Sequence, residues 1–382
     1  MPPLSLYIHV PWCVRKCPYC DFNSHKAEAV LPELQYVDAL LKDLESELSI
    51  VQGRELHSIF IGGGTPSLLS PAAYQQLFAG LKQQLTFARD IEITMEANPG
   101  TFEQERFNGF RAVGINRLSI GVQSFHDSCL KNLGRIHSGS EAVKAMAMAR
   151  SAGFDNINLD IMHGLPGQSE AMAMADLQQA IDLAPNHLSW YQLTIEPNTV
   201  FWSKPPELPE DDTLWTIQEQ GQQLLASNGL RQYEISAYAQ SGCQARHNLN
   251  YWQFGDFIGI GAGAHGKLTD LQSGVIRRNW KTRQPGAYLE AARLIKAKPF
   301  EAGERTLVAD ELPLEFMMNA LRLNNGVAAE LYEQRTGLPL DDIASVLQRV
   351  RTLELLINDS GRIQPTERGS LFLNELLEHF CS

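Results

Sequence analysis

Long apolar runs are missing from this chain: no stretch approaches the roughly eighteen uninterrupted apolar residues of a spanning helix, so the sequence predicts no transmembrane segment. A basic surplus is missing as well, with 32 Lys and Arg against 44 Asp and Glu and a net charge of −12. Nucleic-acid binding normally leaves a basic footprint, so this balance argues against a nucleic-acid partner. Cysteine is scarce, six in 382 residues, which is too sparse for a disulfide framework. The segment Met1 to Pro11 lacks the basic start and apolar core of a secretory signal, and the expected setting is the reducing cytoplasm.

Half of those few cysteines are together. Cys13, Cys17 and Cys20 form C-x3-C-x2-C directly after the strand-like run Leu4 to Val10. Four thiolates close a 4Fe-4S cube, whereas three leave one iron open to another ligand. The competing reading is a tetrahedral zinc site, with His9 or His25 as fourth donor. Cys129, Cys243 and Cys381 show no ligand spacing and read as ordinary thiols.

Short β-branched runs alternate with amphipathic ones over the first half of the chain. The predicted strands are Leu4 to Val10, Ser58 to Ile61, Ile91 to Met95, Arg117 to Ile120, Ile157 to Ile161 and Leu188 to Leu193. Predicted helices between them include Tyr36 to Val51, Pro71 to Leu85, Ser140 to Ala152 and Glu170 to Leu183. Repeated βα units imply an α/β fold around a parallel sheet, for which a partial (β/α)6 barrel is the expected form. Beyond Pro197 the pattern loosens through the acidic, Pro-rich stretch Pro205 to Asp212, and a helix is expected from Asp212 to Asn228. A linker is expected after Trp280. Leu312 to Ser382 reads as helices with a short strand pair near Leu356 to Gln364, a small α-rich, winged-helix-like domain.

Parallel βα folds gather functional groups at the carboxyl ends of their strands. Here those ends lead into the cysteine loop, Gly62-Gly63-Gly64-Thr65-Pro66, Glu96-Ala97-Asn98-Pro99, Gly121-Val122-Gln123-Ser124-Phe125, and the run from Asp160 to Pro166. Three consecutive glycines let peptide groups approach a ligand closely. Glu96 and Asp160 read either as ligand-gripping carboxylates, with Gln123 and Arg135, or as helix caps and surface ion-pair partners. Gly261 to Gly266 fits G-x-G-x-x-G but opens no βαβ unit, and Asp270 lies too close to serve as a ribose-binding acid. It reads as a closely packed strand and turn, and His265 reads as a satisfied structural histidine before it reads as a weak second candidate for iron.

The cysteine loop with the glycine segment resembles the radical S-adenosylmethionine (SAM) superfamily. Tyr7 to Cys13, Ile61 to Ser67, Glu96 to Pro99, Ser119 to Phe125, Asp160 to Gln168 and the tail segment Glu315 to Leu323 resemble, almost end to end, the oxygen-independent coproporphyrinogen oxidase group. That resemblance implies a radical SAM barrel over 1–235, a connecting region over 236–300 and an accessory domain over 301–382. It implies a 4Fe-4S cluster on Cys13, Cys17 and Cys20. SAM would lie near Tyr7, Tyr19, Gly63, Gly64, Thr65, Glu96, Gln123, Arg135 and Asp160. Two departures separate the chain from true oxidases: Asp21-Phe22 follows Cys20 where they carry a fourth cysteine, and their long N-terminal extension is missing. Both departures, and His247-Asn248-Leu249-Asn250-Tyr251-Trp252, are similar to the HemW-type haem chaperones. That likeness implies haem as a third ligand with His247 implicated in its binding. It also implies apo-haemoprotein clients, some of them at a membrane surface, with a homodimer left open. Coproporphyrinogen decarboxylation and a zinc-stabilised interaction protein are the alternatives.

Overall fold

A computed structural model describes residues 1–100 and 104–381. The six predicted parallel strands are present: β1 (Leu4–Val10), β2 (Leu56–Gly63), β3 (Phe87–Ala97), β4 (Arg117–Gln123), β5 (Asn156–His163) and β6 (His187–Gln192). Two further strands, β7 (Arg231–Glu234) and β8 (Ala237–Ala239), add antiparallel pairing beside β6. On the opposite edge β9 (Asp256–Ile260) runs parallel to β1, and β10 (His265–Thr269), β11 (Ile276–Lys281) and β12 (Glu301–Thr306) continue antiparallel. The resulting sheet has 12 strands in the order β12-β11-β10-β9-β1-β2-β3-β4-β5-β6-β8-β7. The expected linker after Trp280 is corrected: the chain there completes β11, forms the helix Pro285–Ala291 and supplies the edge strand β12.

Side-chain alternation along the parallel strands explains why this sheet encloses a polar space. Successive residues of a strand face opposite sides. Leu4, Leu6 and Ile8, Ile59 and Ile61, Ile93 and Met95, Leu118 and Ile120, and Ile157, Leu159 and Ile161 are buried in one core beneath the helices. The intervening residues are Ser5, Tyr7 and His9, Ser58 and Phe60, Thr94 and Glu96, Ser119 and Gly121, Asn158 and Asp160. These form the concave inner face, where Ser5, Ser58, Asn158, Ser119 and Asp160 hydrogen-bond across strands.

The helices lie close to their expected spans, for physical reasons visible at their ends. Gly139–Ser151 starts on a capping box made by Ser138 and Glu141, and Pro71–Gln84 starts on Ser70 with Pro at the first turn. The single helix expected over Tyr36 to Val51 is two, Glu33–Glu45 and Leu48–Val51. The break falls at Glu47, whose carboxylate turns inward to Lys281 Nζ at 2.5 Å and Asn279 Nδ2 at 2.9 Å. From Leu307 onward a second core forms around Phe316, Met317, Tyr332, Leu347, Val350 and Leu376, and it takes in Phe254 and Ile276 from the sheet side. This α-rich domain carries one small antiparallel pair, Val327–Ala328 with Arg362–Ile363, in the manner of a winged helix. No helix among the described residues is long and apolar enough to cross a membrane.

Candidate functional site

The carboxyl ends of the parallel strands surround a cavity of about 340 Å³, and the three cysteines line its mouth. Cys13, Cys17 and Cys20 are free thiols. Burial pushes the Cys13 and Cys20 thiols above their ordinary value. Thr65 Oγ1 lies 3.5 Å from Cys13 Sγ, Ser24 Oγ 3.7 Å from Cys20 Sγ, and Arg135 Nη1 3.8 Å from Cys17 Sγ. A single zinc ion needs its donors at one point. No group of three or more His, Cys, Asp or Glu side chains is so gathered among the described residues. A cube instead presents a separate iron to each thiolate, and three partly accessible thiols spread around one cavity fit it.

Gly63 and Gly64 line the same cavity and have no room for a side chain. Gly63 adopts φ +110, and a Cβ there would lie 2.5 Å from the His9 ring; one on Gly64 would lie 2.5 Å from the Trp12 carbonyl oxygen. The Gly63 N–H donates to Glu96 Oε2 at 3.1 Å. Burial foremost, and then the neighbouring Asp160 carboxylate, push Glu96 up to about 8, against a single backbone donor that lowers it. A buried carboxyl with a second acid beside it and no cation is suited to receive a positively charged ligand group.

Arg135 fixes the opposite wall. Its Nη2 donates to Asn98 Oδ1 at 2.6 Å and to the Gly121 carbonyl at 2.7 Å, while Asn98 Nδ2 donates to Thr65 Oγ1 at 2.9 Å. Arg135 thereby joins two strand ends to the cysteine loop, and Tyr19 stands beside it in the cavity lining. Gln123 adopts φ +70 at the end of β4, and its Oε1 accepts from Tyr191 at 2.9 Å. Asp160 accepts from Ser119 at 3.0 Å and Asn158 at 2.8 Å, yet burial outweighs these donors and leaves its carboxyl raised.

Tyr7 stands beside Gly63 and Glu96 on the far side of the wall they form. It lines not this cavity but an adjoining one of about 450 Å³, where its hydroxyl lies 3.0 Å from His9 Nδ1. Phe22, Gly63 and Glu96 line both cavities and form the wall between them. The helix Arg246–Trp252 completes that partition. At i, i+4 spacing its side chains pair by face: Asn248 and Trp252 line the cysteine cavity, and Tyr251 lines the other.

His247, expected to help bind haem, faces neither cavity. It is 1% exposed, with Nδ1 2.9 Å from Ser58 Oγ and Nε2 2.7 Å from the Tyr251 hydroxyl. Burial, and then Arg117, lower its pKa to about 3, so the ring is neutral. Both ring nitrogens are hydrogen-bonded, and the ring holds Tyr251 in place.

Several lining residues escaped the sequence reading. Ser189 and Tyr191 could have been found by alternation, since Leu188 and Trp190 occupy the apolar face of β6. Glu234 and Arg322 had no such signal. Arg322 reaches the cavity from the C-terminal domain, with its guanidinium 4.2 Å from the Trp252 ring centre and Nη2 3.5 Å from Glu234.

A partial barrel whose strand ends carry a three-cysteine loop, a glycine turn and a buried carboxylate defines a radical SAM protein. Residues 7–180 match the family model of the radical SAM superfamily, and residues 307–372 match that of the HemN C-terminal domain. The chain is 53% identical to the heme chaperone HemW of Escherichia coli (strain K12), covering 100% of this chain and 99% of that protein. It is 50% identical to the heme chaperone HemW of Haemophilus influenzae, again over 100% of this chain and 99% of the relative. This chain belongs to the HemW family. The solved coproporphyrinogen III oxidase (HemN) of Escherichia coli, a radical SAM enzyme, shares its fold with a TM-score of 0.83 over 100% of this chain and 90% of that one, at 23% identity. Membership of the superfamily implies a 4Fe-4S cluster and SAM.

Proposed function

We propose that this chain is a haem chaperone, binding haem and handing it to apo-haemoproteins. The observation that carries the reading is the helix Arg246–Trp252, which separates the cysteine cavity from an aromatic-lined cavity large enough for a second ligand. The full-length likeness to proteins named heme chaperone HemW supports it.

In this reading Cys13, Cys17 and Cys20 hold a 4Fe-4S cluster, and Glu96 takes the ammonium of SAM. Arg135 takes its carboxylate and steadies Cys17, while Gly63, Gly64 and Thr65 bring backbone and hydroxyl groups against the methionine end. Gln123 and Asp160 accept from the ribose hydroxyls, Tyr19 packs over the site, and Tyr7 supports the wall behind Glu96. When bound, a cluster with one open iron supplies both a coordination position and an electron, and the protein positions them.

Haem added to anaerobically reconstituted protein is expected to saturate near one per chain, and the loaded protein to restore absorbance and activity to an apo-haemoprotein. Non-saturating uptake without transfer would sink the proposal. Turnover of coproporphyrinogen III with SAM and a reductant would replace it with the oxidative decarboxylation reading. Cytoplasmic placement, peripheral membrane association and a homodimeric state belong to the same proposal. Vesicle co-sedimentation and light scattering on haem-loaded protein test the last two.

A further inference from the structure

The cysteine loop has an outer face as well as an inner one. All three cysteines line the inner cavity, and Cys17 also lines a shallow hollow of about 30 Å³ in which Cys13 and Cys20 take no part. Arg135 stands beside Cys17 there, with Nη1 3.8 Å from its Sγ. Val14 and Ile136 form the rim, apolar side chains that are 45% and 54% exposed. A hollow of this size is far below the roughly 300 Å³ at which small-molecule sites begin, so it seats no free ligand. Apolar side chains exposed together over a thiol instead mark a contact surface for another protein.

The charge around this hollow is opposite to that of the chain. Arg15 lines it and is exposed, as is Lys16 beside it, whose ammonium donates to the Phe22 carbonyl at 3.1 Å. Gly134 packs so closely on Pro18 that a Cβ there would lie 2.7 Å from the proline ring, and its N–H donates to the carbonyl of Lys131, a third exposed cation. None of the three is in an ion pair among the described residues, and no carboxylate among them lines the hollow. The acids on the neighbouring segments are engaged elsewhere. Asp127 accepts from the Gly139 N–H at 2.9 Å, Glu141 closes the capping box at Ser138, and Asp21 lines the adjoining cavity. In a chain of net charge −12, such a local group of cations attracts and orients an acidic protein that the rest of the surface repels.

We infer that this face receives an acidic one-electron donor protein: Val14 and Ile136 meet it at the centre, Arg15, Lys16 and Lys131 steer it, and the electron enters at the Cys17 side. The inference rests on the cluster assigned in the reading above and is independent of haem. In the transfer the donor is oxidised by one electron and the cluster reduced by one, with no bond made or broken and no proton moved. A small apolar centre inside a charged rim suits a short-lived electron-transfer contact, which buries less than about 1,200 Å². An anionic lipid surface would be drawn to the same cations, but it gains nothing from a thiol at the base of the hollow.

The probe is a fully reduced flavodoxin, an acidic flavoprotein, mixed anaerobically with reconstituted wild type, Ile136→Glu and Lys131→Gln. Cluster reduction is followed by stopped-flow absorbance and EPR. Wild type is expected to be reduced at a second-order rate that falls steeply with added salt. Ile136→Glu lowers that rate roughly tenfold or more, and Lys131→Gln lowers it less and flattens the salt dependence. Photoreduced deazariboflavin, a small uncharged donor, reduces all three proteins alike, which separates lost docking from a damaged cluster. Calorimetry with oxidised flavodoxin and the cluster-free chain is expected to show binding to wild type that Ile136→Glu weakens. Equal flavodoxin rates in all three proteins overturn the proposal while the cluster stands. So does binding of phosphatidylglycerol vesicles through Lys131 by a chain that ignores the flavodoxin. Reconstitution that yields no iron-sulfur absorbance removes the cluster reading and this proposal together.

Discussion

Glu96 sits at the point where burial and charge oppose each other most directly. Its carboxyl, normally near 4.5, is pushed up to about 8 by burial first and Asp160 second. A raised carboxyl pKa favours the folded state while the proton is bound. That stability is present in full below about pH 4 and is lost as pH rises through about 8. Glu96→Gln therefore leaves the melting temperature of the ligand-free protein unchanged near pH 4 and raises it near pH 9. The difference is on the order of a few kcal/mol, at about 1.4 kcal/mol per pKa unit. Thermal melts across that range check it. The same change removes the charge proposed to receive the SAM ammonium, and equilibrium dialysis is expected to show SAM affinity reduced roughly tenfold or more. Gly63→Ala forces a Cβ against the buried His9 ring at φ +110 and is expected to cost on the order of 1–3 kcal/mol in urea unfolding. The placement of both residues at strand ends was legible in the sequence, whereas the choice between a ligand-facing and a capping role for Glu96 was not. His247 was legible as part of a motif, but its hydrogen-bond partners were not. The Tyr251 bond is local, at i, i+4 on one helix, whereas the bond to Ser58 depends on a strand some 190 positions away.

The helix Arg246–Trp252 shows what an element can do that its residues cannot do singly. Its i, i+4 pairing sends Tyr251 to one cavity and Trp252 to the other, so its rotation about its own axis would disturb both. Arg322 clamps it from the C-terminal domain through the Trp252 ring. Arg322→Ala is expected to cost about 0.5–2 kcal/mol of stability, measured by urea unfolding, and to speed amide hydrogen exchange across 246–252. Strand elements were legible because their apolar runs alternate with polar inner-face residues. The helix break at Glu47 was not, since the pull comes from Lys281 and Asn279 on β11.

The sheet as a whole is closed on its β9 side by a buried charge cluster that local pattern could not disclose. Asp256 is 0% exposed and accepts from Arg54 at 2.6 Å, Lys267 at 2.9 Å and Thr269 at 2.8 Å. Burial alone would raise its carboxyl, but Lys267 and Arg54 outweigh that and hold it below the ordinary range. Its contribution is present at neutral pH and is lost on acidification through the ordinary carboxyl range and below. Asp256→Ala leaves two buried cations without their partner and is expected to destabilise the fold by about 3–5 kcal/mol, as chemical denaturation would register. The pairing of β9 with β1, Leu4 against Asp256, spans nearly the whole barrel sequence, which is why six strands were readable and the extension was not.

The wall of Phe22, Gly63 and Glu96 makes the two cavities thermodynamic neighbours. A cationic ligand that fixes Glu96 as a carboxylate from one side changes the charge met by whatever occupies the other. Equilibrium linkage then demands symmetry: the factor by which SAM in the first cavity alters the affinity of a ligand in the second equals the factor by which that ligand alters SAM affinity. Under the proposed function, cargo loading and cofactor occupancy would be two readings of a single coupling free energy, and isothermal titration in either order must return the same value.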